Sequence, residues 1–554
     1  MEEKLSALNK NWKLLHESVI TNSKTLLQTL LTNRSIPQKQ ANSFITPLMR
    51  DVMPDPSTIP NMQGAVKRAI LAFKNKESLA IFGDYDVDGA TSSSLLFHYL
   101  YALGITAPIT IPDRINEGYG PKNTHIDNFA KASVSLLFMV DCGTASNSVI
   151  AYAQTKGIDI IILDHHTPSE HDIIPPLCVN PLLDKKCNLH FLCAAGVTFM
   201  FLVALQRELR SLSLGNLPDL RSFLDLVAIG TICDIVPLTH LNRAFVKHGL
   251  TLLHQSRFPG VKALAIQTST VSEDDVGFRM GPALNAGSRM GKSNCAATLL
   301  SLTSEETANT LATTLIECNN ERKNALANAM DIALYEAQKQ KDHKGVVLHN
   351  DEWSPGIIGL IAARIADQLH KPTWVIAVQG DTAKGAARSP APSLHLAHHI
   401  QKAVQQNLIL NGGGHKAAAG FTIETTNIAS FKDWVEQTLP KETYHPTLIL
   451  DAPLPHIDLP SVWDTLAKLR PFGHCNSEPI FFAYLTNITV LKEGPRHISF
   501  TGKHEQSSIN CIAFGDENSA LRATINQSSS LFVACSLNYF NKKFSLRIND
   551  VKKC

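Results

Sequence analysis

The sequence lacks an excess of either charge and any regular spacing of cysteines. Its 51 basic and 49 acidic residues leave a formal net charge of +2. Bulk charge therefore does not indicate a nucleic-acid-binding protein, and any basic surface must be local. None of the 11 cysteines stands in a C-x-x-C pair, so neither a zinc knuckle nor a disulfide framework is expected. Unpaired thiols of this kind are typical of a cytosolic protein.

Long hydrophobic runs are also absent. The longest apolar stretch, residues 191–205, has fifteen residues, whereas a membrane-spanning helix needs about 20. The N-terminus lacks the basic and then apolar pattern of a signal peptide. We therefore expect no membrane association and a cytoplasmic location.

A chain of 554 residues is too long for one hydrophobic core, so we expect several domains. From about residue 78, apolar strands alternate with helix-like stretches, which predicts an α/β fold with a parallel sheet covered on both faces. No Gly or Pro occurs from 304 to 344, and T-S-E-E at 303–306 fits a capping box. This favours one long helix, with a break near Asn319 and Asn320 as an alternative.

The last hundred residues carry short alternating runs, which are typical of a small β-barrel. The predicted order is an N-terminal helical segment (1–45), a parallel-sheet domain with a helical part (46–302), a connecting long helix (303–344), a second α/β domain (345–445) and an OB-like barrel (446–554).

Polar clusters follow three of the predicted apolar strands. Gly83-Asp84 follows residues 79–82, Asp141 follows 136–140, and the triplet Asp164-His165-His166 follows 158–163. In open α/β sheets the carboxyl ends of the strands form the binding crevice. We therefore expect these side chains to lie close together at one edge of the sheet.

The clustered acids predict a site for divalent cations. Asp84, Asp86 and Asp88 are spaced by two, so in extended chain they would project to one side. Three close carboxylates cannot all stay ionised without compensating cations, and hard cations prefer oxygen ligands. The alternative is an Asp-rich turn that caps a helix. Asp234 and the residues at the strand ends favour a metal site instead.

Mixed carboxylate and imidazole ligands suit Mn²⁺ or Mg²⁺. Two such ions about 3.5–4 Å apart can hold a phosphate and stabilise its leaving oxygen. No nucleophilic Ser or Cys is required, so a metal-bound water is the candidate nucleophile. The residues alone thus predict a metal-dependent phosphoesterase.

A glycine-rich segment at 412–420 offers a second candidate site. G-G-G-H-K-A-A-A-G could be a turn before a helix, or its bare backbone amides could cradle an anion. Arg388 and Ser389 stand upstream and would add a cation and a hydroxyl.

The motifs D-Y-D-x-D-G, a lone Asp after a strand, and D-H-H, in this order, resemble the DHH phosphoesterase superfamily. The resemblance implies that Asp141 bridges two metals and that His166 contacts the scissile phosphate or assists the leaving group. Asp225 competes with Asp234 as the last ligand. The implied metal ligands are Asp84, Asp86, Asp88, Asp141, His165 and Asp234. The glycine-rich segment resembles the DHHA1 domain of that superfamily, which implies phosphate binding by Arg388, Ser389, Gly413 and His415.

Five further segments resemble the RecJ branch of the superfamily: 113–120, 284–289, 320–323, 353–359 and 471–479. This resemblance implies 5′→3′ hydrolysis of single-stranded DNA to mononucleotides in repair and recombination, with two Mn²⁺ or Mg²⁺ ions. It also implies a monomer that works with a single-strand-binding protein and a RecQ-type helicase. Asn285 lies in one of these segments, and Arg114 and Arg289 could clamp backbone phosphates or form surface salt bridges.

The predicted barrel resembles an OB-fold. Tyr539, Phe540 and Phe544 could stack on bases, with Lys542, Lys543 and Arg547 nearby, or could belong to the barrel core. A smaller-substrate member of the superfamily would resemble only the two α/β units, so the barrel argues against it. A catalytically silent scaffold would not need the intact carboxylates and histidines.

Overall fold

The structure, a computed structural model, describes residues 5–168, 173–213, 216–265, 271–391, 393–440, 444–515, 519–540 and 542–554. The first four residues, which contribute to the expectation that there is no signal peptide, lie outside this range. Within it, no helix is both long enough and apolar enough to cross a membrane.

The N-terminal segment packs on the C-terminal part of the chain. It contains β1 (Asn11–Leu14), α1 (Ser23–Asn33) and α2 (Ala41–Ile45), and it is followed by α3 (Met49–Val52), which packs against the first domain. The prediction of an all-helical segment was wrong for β1, which pairs in parallel with Thr447–Leu450. That partner is distant in sequence, so local pattern could not reveal it. Leu26 and Leu30 of α1 are buried in the C-terminal core.

The first α/β domain has the predicted parallel sheet. Its strands lie in the spatial order β3-β2-β4-β5-β6 and are parallel throughout. The middle strands are fully buried because helices cover both faces, which agrees with their continuous apolar sequence. The strands are β2 (Leu79–Gly83), β3 (Ile109–Thr110), β4 (Leu136–Val140), β5 (Asp159–Leu163) and β6 (Cys178–Val179).

The described residues before the linker also form eleven α-helices and a π-helical turn. The π-helical turn, Val276–Met280, joins α12 to α13. The helices are α4 (Met62–Asn75), α5 (Val87–Ala102), α6 (Asn123–Lys131), α7 (Asn147–Thr155), α8 (Ala194–Ser211), α9 (Leu224–Cys233), α10 (His240–Leu253), α11 (Pro259–Ala265), α12 (Glu273–Asp275), α13 (Gly281–Arg289) and α14 (Cys295–Ser301).

The long linking helix, α15 (Glu305–Gln338), is continuous. The alternative of a break near Asn319 and Asn320 is wrong. Asn319 is buried, and its side-chain oxygen accepts hydrogen bonds from Arg322 one turn later, which keeps both residues within the helix. The predicted capping box does not form, because the side chain of Ser304 accepts no capping hydrogen bond.

The second α/β domain contains a mixed sheet in the order β10-β11-β9-β8-β7, in which only β7 and β8 are parallel. The glycine-rich segment forms a hairpin, in which 412–414 belong to the exposed edge strand β10, 415–417 connect the strands and 418–420 begin β11, so the prediction of a turn before a helix was wrong. At Gly414 a side chain would lie 2.3 Å from the Ala418 carbonyl oxygen, so the close strand pairing requires glycine. The elements are β7 (Val346–Asn350), α16 (Ile358–Leu369), β8 (Thr373–Gln379), β9 (Thr382–Arg388), α17 (Leu396–Gln405), β10 (Asn411–Gly414), β11 (Ala418–Glu424) and α18 (Ile428–Thr438).

The C-terminal domain is the predicted OB-like barrel. Its sheet runs β13-β14-β15-β16-β18-β17 and closes through β14 and β17. The elements are β12 (Thr447–Leu450), β13 (Ala452–Pro453), α19 (Leu459–Leu469), β14 (Phe481–Gly494), β15 (His497–His504), β16 (Ser507–Phe514), α20 (Ala520–Asn526), β17 (Ser530–Phe540) and β18 (Lys543–Lys553).

A buried arginine joins the first domain to the barrel. Arg243 of α10 is 1% exposed, and its guanidinium donates hydrogen bonds only to main-chain carbonyl oxygens. These belong to Phe44, Leu469, Arg470 and Pro471. The first domain, the N-terminal segment and the barrel therefore meet at one side chain.

Candidate active site

The acid-rich motif wraps around the start of a helix. Asp84 follows the end of β2, the side chain of Asp86 caps α5 by accepting a hydrogen bond from Gly89 N at 3.0 Å, and Asp88 lies in the first turn. The expectation of an extended chain with all three on one side was wrong, since α5 begins at Val87. A side chain at Gly89 would lie 2.4 Å from the Asp84 carbonyl oxygen, so this tight turn requires glycine.

Three groups of ligand-type atoms meet at the carboxyl edge of the sheet, each within 4.8 Å. His165 is central, with its Nε2 atom 3.3 Å from an Asp141 oxygen and 3.7 Å from oxygens of both Asp88 and Asp234. Asp141 belongs to two of the groups. The groups are Asp84, Asp86 and Asp141; Asp88, His165 and Asp234; and Asp141, His165 and His166.

The electrostatics of this cluster fit bound cations. Burial raises the pKa of Asp84 and Asp141 well above the ordinary value, and neighbouring carboxylates raise it further. Asp84 Oδ1 is buried and accepts no hydrogen bond from any residue that the structure describes. Carboxylates held this close repel one another unless a cation compensates, and the oxygen and imidazole donors suit Mg²⁺ or Mn²⁺.

Each end of α9 carries one of the two competing aspartates. Asp234 lies at the C-terminal end, within the cluster. Asp225 lies in the first turn, where it accepts hydrogen bonds from Ser256 Oγ at 2.5 Å and Leu226 N at 2.8 Å. Its partners are therefore protein groups, and it is absent from the metal-type groups. The geometry favours Asp234 over Asp225.

His166 is held by a buried carboxylate. Its Nδ1 atom lies 2.8 Å from Asp164 Oδ1, which also accepts from the main-chain nitrogen atoms of His165 and His166. Burial alone would raise the pKa of Asp164, but hydrogen bonds from His166 and Thr144 outweigh it and lower the pKa of this carboxyl. Burial alone would lower the pKa of the His166 imidazole, but the hydrogen bond to Asp164 outweighs it and raises that pKa.

Tyr119 is a site residue that the sequence reasoning missed. Its hydroxyl donates to the Asp141 carbonyl oxygen at 3.1 Å and lies 3.1 Å from His166 Nδ1. It comes from the segment 113–120, so that motif was the available signal. The cleft has a volume of about 260 Å³. Its lining residues are Asp84, Tyr85, Asp86, Arg114, Tyr119, Asp141, His166, Asp234, Asn285 and Arg289.

Arginines face the acids across this cleft. Burial, together with the charges of Arg114, Arg322 and Arg388, lowers the pKa of Arg289 to about 9. None of these four forms an ion pair with a carboxylate among the described residues, so the surface-salt-bridge alternative for Arg114 and Arg289 receives no support. Arg289 Nη1 donates to the Gly356 carbonyl oxygen of the second domain at 3.1 Å. Arg322, in α15, was not predicted as a site residue.

The remaining predicted phosphate-binding residues lie partly outside the cleft lining. Asn285 lines it, and its buried side-chain oxygen has no hydrogen-bond partner among the described residues. Arg388 ends β9, Ser389 follows it, and Gly413 lies on the exposed edge strand. Burial lowers the pKa of His415, and the charges of His166 and His165 lower it further. The histidines of the first domain therefore lie near enough to act on His415 electrostatically.

The barrel carries an aromatic surface. Tyr539 and Phe540 are 45% and 70% exposed, whereas Phe544 is partly buried against the core. Trp463 adds a ring that was not predicted, with its centroid 5.6 Å from Tyr539. Lys543 begins β18, and Arg547 is paired with Glu478.

Three family descriptions match successive parts of the chain. "DHH family, N-terminal domain" matches 78–231, "DHHA1 domain" matches 342–441, and "RecJ OB domain" matches 450–550. Two RecJ structures from Thermus thermophilus are similar. One, in complex with Mn²⁺, has a TM-score of 0.83 at 27% identity, covering 100% of this chain and 80% of that one. The other, in complex with Mg²⁺, has a TM-score of 0.76 at 26% identity, covering 98% and 78%.

Two relatives are described as single-stranded-DNA-specific exonuclease RecJ. The protein of Bacillus subtilis is 30% identical over 90% of this chain, which spans 64% of that relative's length. The chain thus spans less than two thirds of this relative. The protein of Salmonella typhimurium is 30% identical over 79% of this chain and 80% of its own length. On these matches, the chain belongs to the RecJ family of DHH proteins.

Proposed function

We propose that the protein is a two-metal-ion phosphodiesterase that degrades single-stranded DNA from the 5′ end to mononucleotides. The observation that carries the proposal is a pair of ligand groups around Asp141 and His165, faced by arginines without carboxylate partners. The names of the two relatives support single-stranded DNA as the substrate. The 5′→3′ polarity and the mononucleotide product are part of the same proposal.

In this proposal Asp84, Asp86 and Asp141 hold one cation. Asp88, His165 and Asp234 hold the other, with Asp141 shared between them. The metal ions named in the two similar structures support Mn²⁺ or Mg²⁺. When bound, such a pair positions a phosphate, activates the attacking water and stabilises the leaving oxygen.

The protein's own groups would orient the substrate and stabilise charge. Main-chain nitrogen atoms of Ala194 and Ala195 donate to both oxygens of Asp88, at 2.6 and 2.9 Å, and so fix its carboxylate. Asp164 keeps the proton on His166 Nδ1, which leaves Nε2 to contact the scissile phosphate. Arg289 serves as a planar donor to a backbone phosphate.

The second domain and the barrel extend this site along the strand. Arg388, Ser389, Gly413 and His415 bind the terminal phosphate or the phosphate under attack, together with Arg114 and Asn285. Tyr539 and Phe540 stack on bases further along, because exposed rings beside basic residues suit single strands of any sequence.

The proposal includes a cellular role and setting. The protein acts in DNA repair and recombination as a cytoplasmic monomer. A single-strand-binding protein and a RecQ-type helicase supply its substrate. Family membership is what supports these statements.

End-labelled strands test the proposal directly. We expect mononucleotides to be released from a 5′-labelled single strand with Mn²⁺ or Mg²⁺, little release with EDTA, and resistance of a blunt duplex. Earlier release of label from a 3′-labelled strand than from a 5′-labelled strand would contradict the polarity. Equal digestion of the duplex, or no strand cleavage with either metal, would contradict the exonuclease activity.

A further inference from the structure

The loop that leads into the barrel, residues 470–476, supports the catalytic domain. Its sequence belongs to the segment 471–479, to which no role has so far been assigned. On one side, Glu273 Oε1 accepts hydrogen bonds from Arg470 Nη1 at 2.7 Å and from Phe472 N at 2.8 Å. Because Glu273 is only 5% exposed, these bonds fix the loop on the catalytic domain.

On its other side the loop contacts the chain that follows Asp234. His474 Nδ1 donates to the Ile235 carbonyl oxygen at 2.7 Å, and the His474 carbonyl oxygen accepts from Leu238 N at 2.9 Å. A side chain added at Gly473 would lie 2.7 Å from Leu238 Cδ1, so main chain and side chain meet closely here. The loop thus holds residues 235–238 at both ends.

Ile235 has an unusual backbone. Its φ is 57°, in the left-handed region that a β-branched residue rarely adopts. Its side chain is 70% exposed, so core packing does not impose this conformation. A conformation of this kind persists only where surrounding groups determine it. Among the described residues, the side chain that forms a hydrogen bond with the Ile235 main chain is that of His474.

We infer that His474 is a positioning residue for Asp234. By holding the Ile235 carbonyl oxygen, it fixes the turn directly after Asp234 and so aims that carboxylate at Asp88 and His165. The barrel domain would therefore complete the geometry of a metal site in another domain. This inference rests on the proposed function in that Asp234 is taken as a metal ligand.

Mn²⁺ binding by the full chain, followed by electron paramagnetic resonance, tests the inference. His474→Ala removes the donor, whereas His474→Asn places an amide nitrogen where Nδ1 was. For His474→Ala we expect one of two Mn²⁺ ions to bind about tenfold more weakly, as is usual when an outer partner of a metal ligand is lost. We expect His474→Asn to recover most of that loss. Cys475→Ala, at an exposed neighbour in the same loop, is the matched control and should bind as wild type does.

Steady-state kinetics give a second readout. In His474→Ala, kcat should fall at limiting Mn²⁺ and recover at high Mn²⁺, while KM for a short strand stays unchanged. Failure of the wild type to bind two Mn²⁺ would contradict the proposed function. If the wild type binds two ions and His474→Ala binds them equally well, the inference is wrong.

A double-mutant cycle with Ile235→Gly isolates the role of the backbone. Glycine adopts a positive φ without steric cost, so the turn would depend less on His474. We expect His474→Ala to weaken Mn²⁺ binding less in the Ile235→Gly protein than in the wild type. An equal loss in both proteins would mean that His474 does not act through the Ile235 backbone and would overturn the inference.

Discussion

The two walls of the cleft carry groups of opposite charge, and burial shifts the pKa of groups on both. On one wall, Asp84 and Asp141 have a raised pKa because burial and neighbouring acids disfavour ionisation. On the other, burial and neighbouring arginines lower the pKa of Arg289, and they act in the same way on Arg388, which lies beyond the cleft lining. Among the described residues, Arg289 and Arg388 have no carboxylate partner, and three acids crowd around the one imidazole of His165, so charge on either wall is costly unless a ligand compensates it. Cations on one side and phosphates on the other would satisfy both walls together.

The largest effect is expected from breaking the acid wall. Asp141→Asn removes a carboxylate shared by two ligand groups, so we expect strand cleavage to fall by more than the roughly 100-fold that loss of an outer partner costs. Turnover of a 5′-labelled single strand measures it. Asp225→Asn is the control, because its carboxylate is equally buried but is bonded to protein groups, and it should keep wild-type turnover. Near-normal activity of Asp141→Asn would refute the bridging role.

Changing the arginine wall while keeping its charge is expected to have a smaller effect. Arg289→Lys retains a cation but loses the planar fork that binds phosphate through two donors, and it also loses the bond to the Gly356 carbonyl oxygen. We expect kcat/KM on a short strand to fall about tenfold, which corresponds to about 1.4 kcal/mol. Because no metal ligand changes, Mn²⁺ binding should be unaffected. Wild-type kcat/KM would show that Arg289 contributes only charge.

A third change tests whether the cleft alone accounts for substrate binding. Tyr539→Ala removes an exposed ring of the barrel, so affinity for a long single strand should fall by about 1 kcal/mol or more per base that loses its stacking partner. Hydrolysis of a dinucleotide should not change, since it is too short to reach the barrel. Tyr101→Ala removes an exposed ring from the first domain and serves as the control. Equal losses on long and short substrates would contradict a role in stacking.

The acid wall was largely predictable from sequence, and the arginine wall only in part, since Arg114, Arg289 and Arg388 were predicted and Arg322 was not. Asp141 and His165 each follow a buried apolar strand, and parallel strands bring their carboxyl ends to one edge. Arg322 lies in the linking helix and approaches Arg289 because that helix packs against α13, a contact that local pattern does not specify. The same limit applies to His474, whose contact with Ile235 joins residues more than 200 positions apart. Local pattern specifies an element, but contacts between domains depend on the whole fold.

The last prediction concerns stability instead of activity and uses Asp225, a buried aspartate outside the acid cluster. Burial raises the pKa of Asp225 from 3.8 to about 6, although the hydrogen bond from Ser256 opposes the shift. The folded protein therefore holds this proton more tightly than the unfolded chain does, and the associated stability is lost as the pH rises from about 4 to 6. Asparagine does not titrate, so the melting temperature of Asp225→Asn relative to wild type should rise across that interval. The free-energy difference involved is at most about 3 kcal/mol. A difference in melting temperature that stays constant from pH 4 to 7 would mean that Asp225 is ionised throughout and that Ser256 and Leu226 stabilise its charge fully.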